Sequence, residues 1–249
     1  MTTRDTTVAV FRPDDERLVD AVELVESLGA TPVADPMLEV RPTGLGPREG
    51  ADYTVLTSKT GAELARAADW QPDETTVCAI GPSTAAALRE QGYEVDMVPD
   101  EYTSAGLVAM LADEVADATV EVARSDHGSE VLIDGLWDAN AYVHQTVLYE
   151  LVRPAGSGKS VELAAAGDLD AAAFTSSLTV QHFVEAAEEL GVRDAAIAGL
   201  NDAVVGVIGT PTKETAESFG IEVDVVPENA DFDELACEVV EAAAPTYHE

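Results

Sequence analysis

The phrase VCAIGPSTAAALREQGYEVDMVP at 77–99 returns as VGVIGTPTKETAESFGIEVDVVP at 205–227. Gly81 and Gly209 are 128 residues apart, and at that offset Ile80 meets Ile208, Thr84 meets Thr212 and Gly92 meets Gly220. Asp96 and Pro99 then meet Asp224 and Pro227 without a gap. A second pair, ADYTVLTS (51–58) and LDAAAFTS (169–176), stands 118 residues apart. The middle and the end of the chain therefore share one layout, with ten extra residues in the later copy. Within 249 residues, that layout suits two modest domains of similar plan.

The local pattern says what kind of domain. TTVAVF (6–11) reads as a strand, and Leu18, Val22, Val25 and Leu28 then fall on one helical face until Gly29. ATPVADP is another short strand. YTVLTS leads into TGAELARAA, VCAIG into PSTAAALREQ, EVDMVP into TSAGLVAMLADEV, and TVEVARS into SEVLIDGLWDA. YVHQTVLYELVRP is extended. The later part repeats the plan: AAAFTSS before TVQHFVEAAEEL, VVGVIG before PTKETAESF, and EVDVVP before DFDELACEVVEAA. Short apolar strands alternating with helices predict parallel sheets covered on both faces. MLEVRP (37–42) and YELVRP (149–154) are alike and bracket 43–148. They predict one domain inserted in another: an outer domain of 1–36 plus 155–249, an inserted domain of 43–148, and a two-stranded, antiparallel linker.

Charge bounds the environment and the partners. Asp and Glu number 48 against 13 Lys and Arg, for a net charge of -35 spread along the chain. A distributed excess of this size is a solvated surface of the kind halophilic proteins use to stay soluble, so a salt-loving cytoplasm is the expected setting. It argues against nucleic acid, whose phosphates need a basic surface. No run of 18 apolar residues exists, and MTTRDTTVAVF lacks the apolar stretch of a secretory leader, so no membrane segment is expected. Cys78 and Cys237 form no C-x-x-C and read as small buried hydrophobes. His127, His144, His182 and His248 have no metal spacing and read as surface or core residues.

Four strand-to-helix turns carry the candidate chemistry: TSKTG, IGPST, TSSLT and IGTPT. Ser and Thr favour the N-cap, Pro82 and Pro211 suit a first helical turn, and Gly81 and Gly209 permit close approach of a neighbour or ligand. Helix N-termini attract anions, and in open α/β sheets they lie where ligands bind. Two domains with such turns suit a ligand bearing several carboxylates; the competing reading is ordinary N-caps. AGSGKS (155–160) matches only the end of a phosphate-binding loop, because position 153 is Arg, and it reads as a flexible connection. No G-x-S-x-G and no G-x-G-x-x-G occurs, so the chemistry expected is positioning, or binding alone.

Taken in order, VAVFRP (8–13), DYTVLTSKTGAEL (52–64), the stretch 77–111, TVLYELVRP (146–154), DLDAAAFTSSLTVQHF (168–183) and the stretch 204–235 resemble the uroporphyrinogen-III synthase family over nearly the whole chain. The resemblance implies two α/β domains joined by a two-stranded linker, with the active site in the cleft between them. The implied reaction converts hydroxymethylbilane, a linear tetrapyrrole with eight carboxylates, into uroporphyrinogen III. Water is lost, the ring closes and the last pyrrole is inverted through a spiro intermediate. No cofactor or metal is implied, and a cytoplasmic monomer is expected, with transient contact with the preceding pathway enzyme left open.

Residue by residue, Tyr149 matches the family tyrosine and could protonate or hydrogen-bond the departing hydroxyl; the alternative is an aromatic packing residue. Thr175, Ser176 and Ser177 match one strand-end turn, and Gly209, Thr210 and Thr212 another, as carboxylate binders. Thr57, Ser58, Gly81, Ser83 and Thr84 are their counterparts in the inserted domain. Arg12 matches a first-strand arginine that could pair with a carboxylate or with surface acids. Lys59 departs from the small polar residue expected there. The reading from another class is a two-domain ligand-binding or regulatory protein on the same fold, without turnover.

Overall fold

A computed structural model of the chain describes residues 6–244. The first five residues and His248 lie outside the described residues. In chain order, β1 (Thr7–Val10), α1 (Glu16–Ser27) and β2 (Thr31–Ala34) come first. Then follow β3 (Glu39–Pro42), β4 (Tyr53–Leu56), α2 (Lys59–Ala67), β5 (Thr76–Ala79), α3 (Pro82–Glu90) and α4 (Ser104–Leu111). Next are β6 (Thr119–Ser125), α5 (Glu130–Asp138) and β7 (Tyr142–Val152). Last come α6 (Lys159–Ala166), β8 (Ala171–Phe174), α7 (Ser177–Glu189), α8 (Arg193–Asn201), β9 (Val204–Val207), α9 (Thr210–Ser218) and α10 (Phe232–Ala243).

The chain divides into two compact units. The first runs to Glu39 and resumes at Val152; the second is Val40–Leu151. The first holds a four-stranded sheet ordered β2-β1-β8-β9, with every pairing parallel. The other sheet is ordered β3-β7-β6-β4-β5, and β7, β6, β4 and β5 run parallel. Both sheets are apolar on both faces, as parallel sheets require. In the first, Ala9, Phe11, Ala172 and Phe174 join one core, while Val8, Val10, Ala171 and Ala173 join the other with α1 and α10. In the second, Leu56 and Ala79 face one core, and Val55 and Cys78 the opposite one. Among the described residues no helix is long and apolar enough to cross a membrane.

The repeat acquires a physical meaning in two pairs of aspartates. Asp52 and Asp170 each accept the first backbone N–H of a neighbouring strand, from Thr119 and Thr7, both at 2.8 Å. Asp96 and Asp224 accept the second backbone N–H of β5 and β9, from Val77 at 2.7 Å and Val205 at 2.8 Å. EVDMVP and EVDVVP are not full strands. Each contributes a single parallel bridge, Cys78 with Met97 and Gly206 with Val225. Their aspartate side chains occupy the donors a longer ladder would use, and Pro99 and Pro227 follow with no N–H to offer.

Three observations refine the expectations. First, 37–42 and 149–154 lie side by side, and the pair is continuous with the second sheet, whose edge strand β3 sits beside β7. Thr43 donates its N–H to Leu148 O at 3.0 Å and its hydroxyl to Val147 O at 2.8 Å. Second, AGSGKS is no flexible connection. Gly158 has φ 121, which suits glycine, and opens α6. Buried Asp35 accepts from Gly158 N at 3.0 Å, Ser160 N at 2.8 Å and the Ser160 hydroxyl. The following α6 packs on α8, and a methyl at Gly199 would lie 1.8 Å from Ala164 O. Third, Cys78 is buried but Cys237 is exposed on α10.

Candidate functional site

Each unit carries one polar pocket where its strands run into helices. In the second unit, Thr57, Ser58, Arg124, Ser125, Ser129 and Tyr149 are among the residues lining a pocket of about 190 Å³. Ser58 ends β4 and is the N-cap of α2, accepting from Gly61 N at 2.9 Å. The Tyr149 hydroxyl donates to the same Ser58 oxygen at 3.0 Å, and the tyrosine is only 7% exposed. Its place is set by a bulge between β6 and β7: Arg124 pairs with Val147, but Ser125 pairs with Tyr149, skipping Leu148. Bulges re-aim side chains in this way beside functional sites. Ser58 Oγ, already accepting twice, has its own proton left to donate.

In the first unit, Arg12, Arg17, Thr175, Ser176, Asp231 and Phe232 are among the residues lining a pocket of about 450 Å³. Ser176 is the N-cap of α7 and accepts from Thr179 N at 3.2 Å, as Ser58 does in the other unit. Thr175 donates its hydroxyl to Phe11 O at 3.1 Å. The Arg12 guanidinium lies 4.7 Å above the Phe232 ring. Burial, then the nearby charge of Arg17, holds its pKa below the usual arginine value. Both causes disfavour the cation, and an incoming carboxylate would offset them. Arg17 is engaged by Asp15, the N-cap of α1.

The remaining expected residues fall into four groups. Gly81 and Gly209, not hydroxyl residues, are the N-caps of α3 and α9, and no side chain caps either helix. Gly81 is needed for space, because a methyl there would lie 3.1 Å from Tyr102 Cβ; at Gly209 it would meet nothing. Ser177 joins two turns of its unit by donating to Pro211 O at 3.0 Å, and Thr210 is exposed at the start of α9. Lys59 and Ser83 are exposed on first helical turns and line neither pocket. Thr84 and Thr212 are buried, each 3% exposed. The repeat preserves them because the third position of both helices faces the core. The histidines spread out: His127 meets Asp126, His144 meets Glu121 and buried His182 meets Met37 O.

Arg17, Arg124, Ser125, Ser129 and Phe232 are not singled out by the sequence. The available signal is RSD at 124–126, where a charged residue falls near the end of a largely buried strand.

Comparison with known proteins agrees with this architecture. The family model described as Uroporphyrinogen-III synthase HemD matches residues 19–237. A putative uroporphyrinogen-III synthase of Methanothermobacter thermautotrophicus is 32% identical over 237 residues, covering 89% of this chain and 92% of its own. The uroporphyrinogen-III synthase of Chlorobaculum parvum is 27% identical, covering 95% and 98%. In fold, a mutant uroporphyrinogen III synthase from the extremely thermophilic bacterium Thermus thermophilus superposes with a TM-score of 0.68 at 19% identity, over 96% of this chain and 98% of that one. The Helicobacter pylori uroporphyrinogen-III synthetase gives 0.55 at 14%, over 97% and 100%. With the match running through both units and the relatives aligned nearly end to end, the chain belongs to the uroporphyrinogen-III synthase family.

Proposed function

We propose that this protein cyclises hydroxymethylbilane to uroporphyrinogen III, a cyclising hydro-lyase step of tetrapyrrole biosynthesis, and that Tyr149 and the strand-end turns are its working parts. The observation that carries the residue assignment is the Tyr149–Ser58 contact at 3.0 Å inside a pocket of hydroxyls. The pyrrole nitrogen expels the hydroxyl of the substrate, leaving an azafulvene. The departing oxygen needs a proton or a hydrogen bond, and the Tyr149 O–H is the donor assigned to it. The substituted carbon of the last ring attacks the azafulvene methylene to give the spiro intermediate; its old bond to the neighbouring bridge carbon then breaks, and the ring's free position captures that carbon and loses its proton, leaving the ring inverted. Unassisted closure at the free position is easier, so the protein's task is to hold the chain in the rarer geometry with water kept away.

The grip comes from Thr57 and Ser58 in one unit and from Arg12, Thr175 and Ser176 in the other. Amides of the glycine-opened helices α3 and α9 add to it, with Thr210 beside the second. We place the reaction in the cytoplasm, with a monomer as the working form. Turnover tests the reading: hydroxymethylbilane made in situ should disappear faster with the protein than by spontaneous closure. Disappearance at the spontaneous rate, with the substrate bound, would leave only the non-catalytic binding reading.

A further inference from the structure

Arg124 is the buried cation that the reading above does not use. Its side chain is 7% exposed at the end of β6. Nη1 donates to Ser129 O at 2.8 Å and Nη2 to Glu130 Oε1 at 2.5 Å, but Nε has no partner. A buried N–H without an acceptor is costly, and native structures rarely keep one without a use. The one carboxylate it holds, Glu130, is 68% exposed. The pocket beside it is lined by hydroxyl groups, including Ser125, Ser129 and Tyr149, and by no Asp or Glu, in a chain whose net charge is -35. Space is reserved around the guanidinium as well. A methyl at Gly128 would lie 2.5 Å from Arg124 Cδ, 3.0 Å from Nη1 and 3.1 Å from Nε. The β-bulge that brings Tyr149 opposite Ser125 falls at this same arginine.

We propose that Arg124, with the Ser125 and Ser129 hydroxyls, is a carboxylate subsite that anchors one acidic side chain of the substrate next to Tyr149. The proposal rests on the synthase reading and adds the group that fixes the reacting end of the chain. An incoming carboxylate supplies the acceptor that Nε lacks and competes with exposed Glu130 for the guanidinium fork, a geometry that lysine cannot copy.

The test separates the subsite from the chemistry by using uroporphyrin, a stable octacarboxylate, as the probe, with binding followed by quenching of its fluorescence in high salt. Gly128→Ala keeps the charge and forces the Arg124 side chain to shift, because the added methyl would lie 2.5 Å from its Cδ; Arg124→Lys keeps the charge and loses the fork. Both should weaken uroporphyrin binding about tenfold or more, the scale of one lost charge-assisted hydrogen bond. In turnover, both should raise KM by a similar factor while kcat changes less. Melting curves identify a variant that has failed to fold, and binding is read from variants that still melt cooperatively. Binding equal to the parent's in folded Gly128→Ala overturns the subsite, as does failure of the parent to bind uroporphyrin. A parent that binds, with variants that bind less, upholds it even if no turnover is found; that last result would count against the synthase reading alone.

Discussion

At the scale of single residues, Tyr149 and Ser58 share one oxygen, and that arrangement separates stability from chemistry. If Tyr149 becomes Phe, Ser58 Oγ still accepts from Gly61 N, so the cap of α2 survives. The fold should lose about 1 kcal/mol, the worth of one hydrogen bond. A proton donor to the leaving group is worth about a hundredfold in rate, so kcat should fall by that order. Unchanged kcat in Tyr149→Phe would remove the phenol from the reaction. The cysteines give a second test. Burial, then the charge of Asp96, pushes the Cys78 thiol from 9.0 up to about 12, while Cys237 is exposed. At pH 8 a thiol reagent should label one cysteine per native chain and two after denaturation. A raised thiol pKa stabilises the fold below 9 and withdraws that contribution as pH rises toward about 12, so Cys78→Ala should flatten alkaline destabilisation. Ser58 and Ser176 are legible in the sequence as cap residues, and Tyr149 through the family resemblance. Arg124 is not, because an arginine near the end of a strand reads like any surface charge until its burial is known. Thr84 and Thr212 are legible as a repeated pattern, and both stand at a buried third helical position.

At the scale of elements, order and type follow from alternation of apolar strands with amphipathic helices, and the helix starts from Ser, Asp, Gly and Pro. Two helices are hidden from that pattern. α6 and α8 are rich in alanine, so neither shows a stripe of large apolar residues, and they pack so closely that Gly199 has no room for a methyl. The turn into α6 reads as a flexible stretch because its partner, Asp35, lies 123 residues away in sequence. Buried Asp35 holds Gly158 and Ser160 through backbone and hydroxyl donors. Asp35→Ala should therefore cost about 3 kcal/mol, because it leaves buried N–H groups unpaired. Chemical denaturation measures it, and a loss below about 0.5 kcal/mol, the level of an ordinary surface change, would contradict the assignment.

At the scale of the whole molecule, the net charge of -35 must coexist with a substrate carrying eight carboxylates. Among the described ion pairs most carboxylate partners are well exposed, as for Arg153 with Glu189 and Lys213 with Glu217, so they relieve little of the repulsion. Salt relieves more: at 1 M the screening length falls to about 3 Å. Melting temperature and turnover should both rise from dilute buffer to molar salt; full stability and activity in dilute buffer would contradict the halophilic reading. The two-domain plan is written in the repeat, and two pairs of equivalent aspartates at strand starts explain why its spacing is kept. The central claim is that this scaffold directs ring inversion by holding the chain in position, and isomer analysis tests it most directly. The purified protein in high salt receives hydroxymethylbilane made in situ, and the oxidised products are separated. The account predicts that the type III isomer dominates; type I alone, as in the protein-free blank, would contradict it.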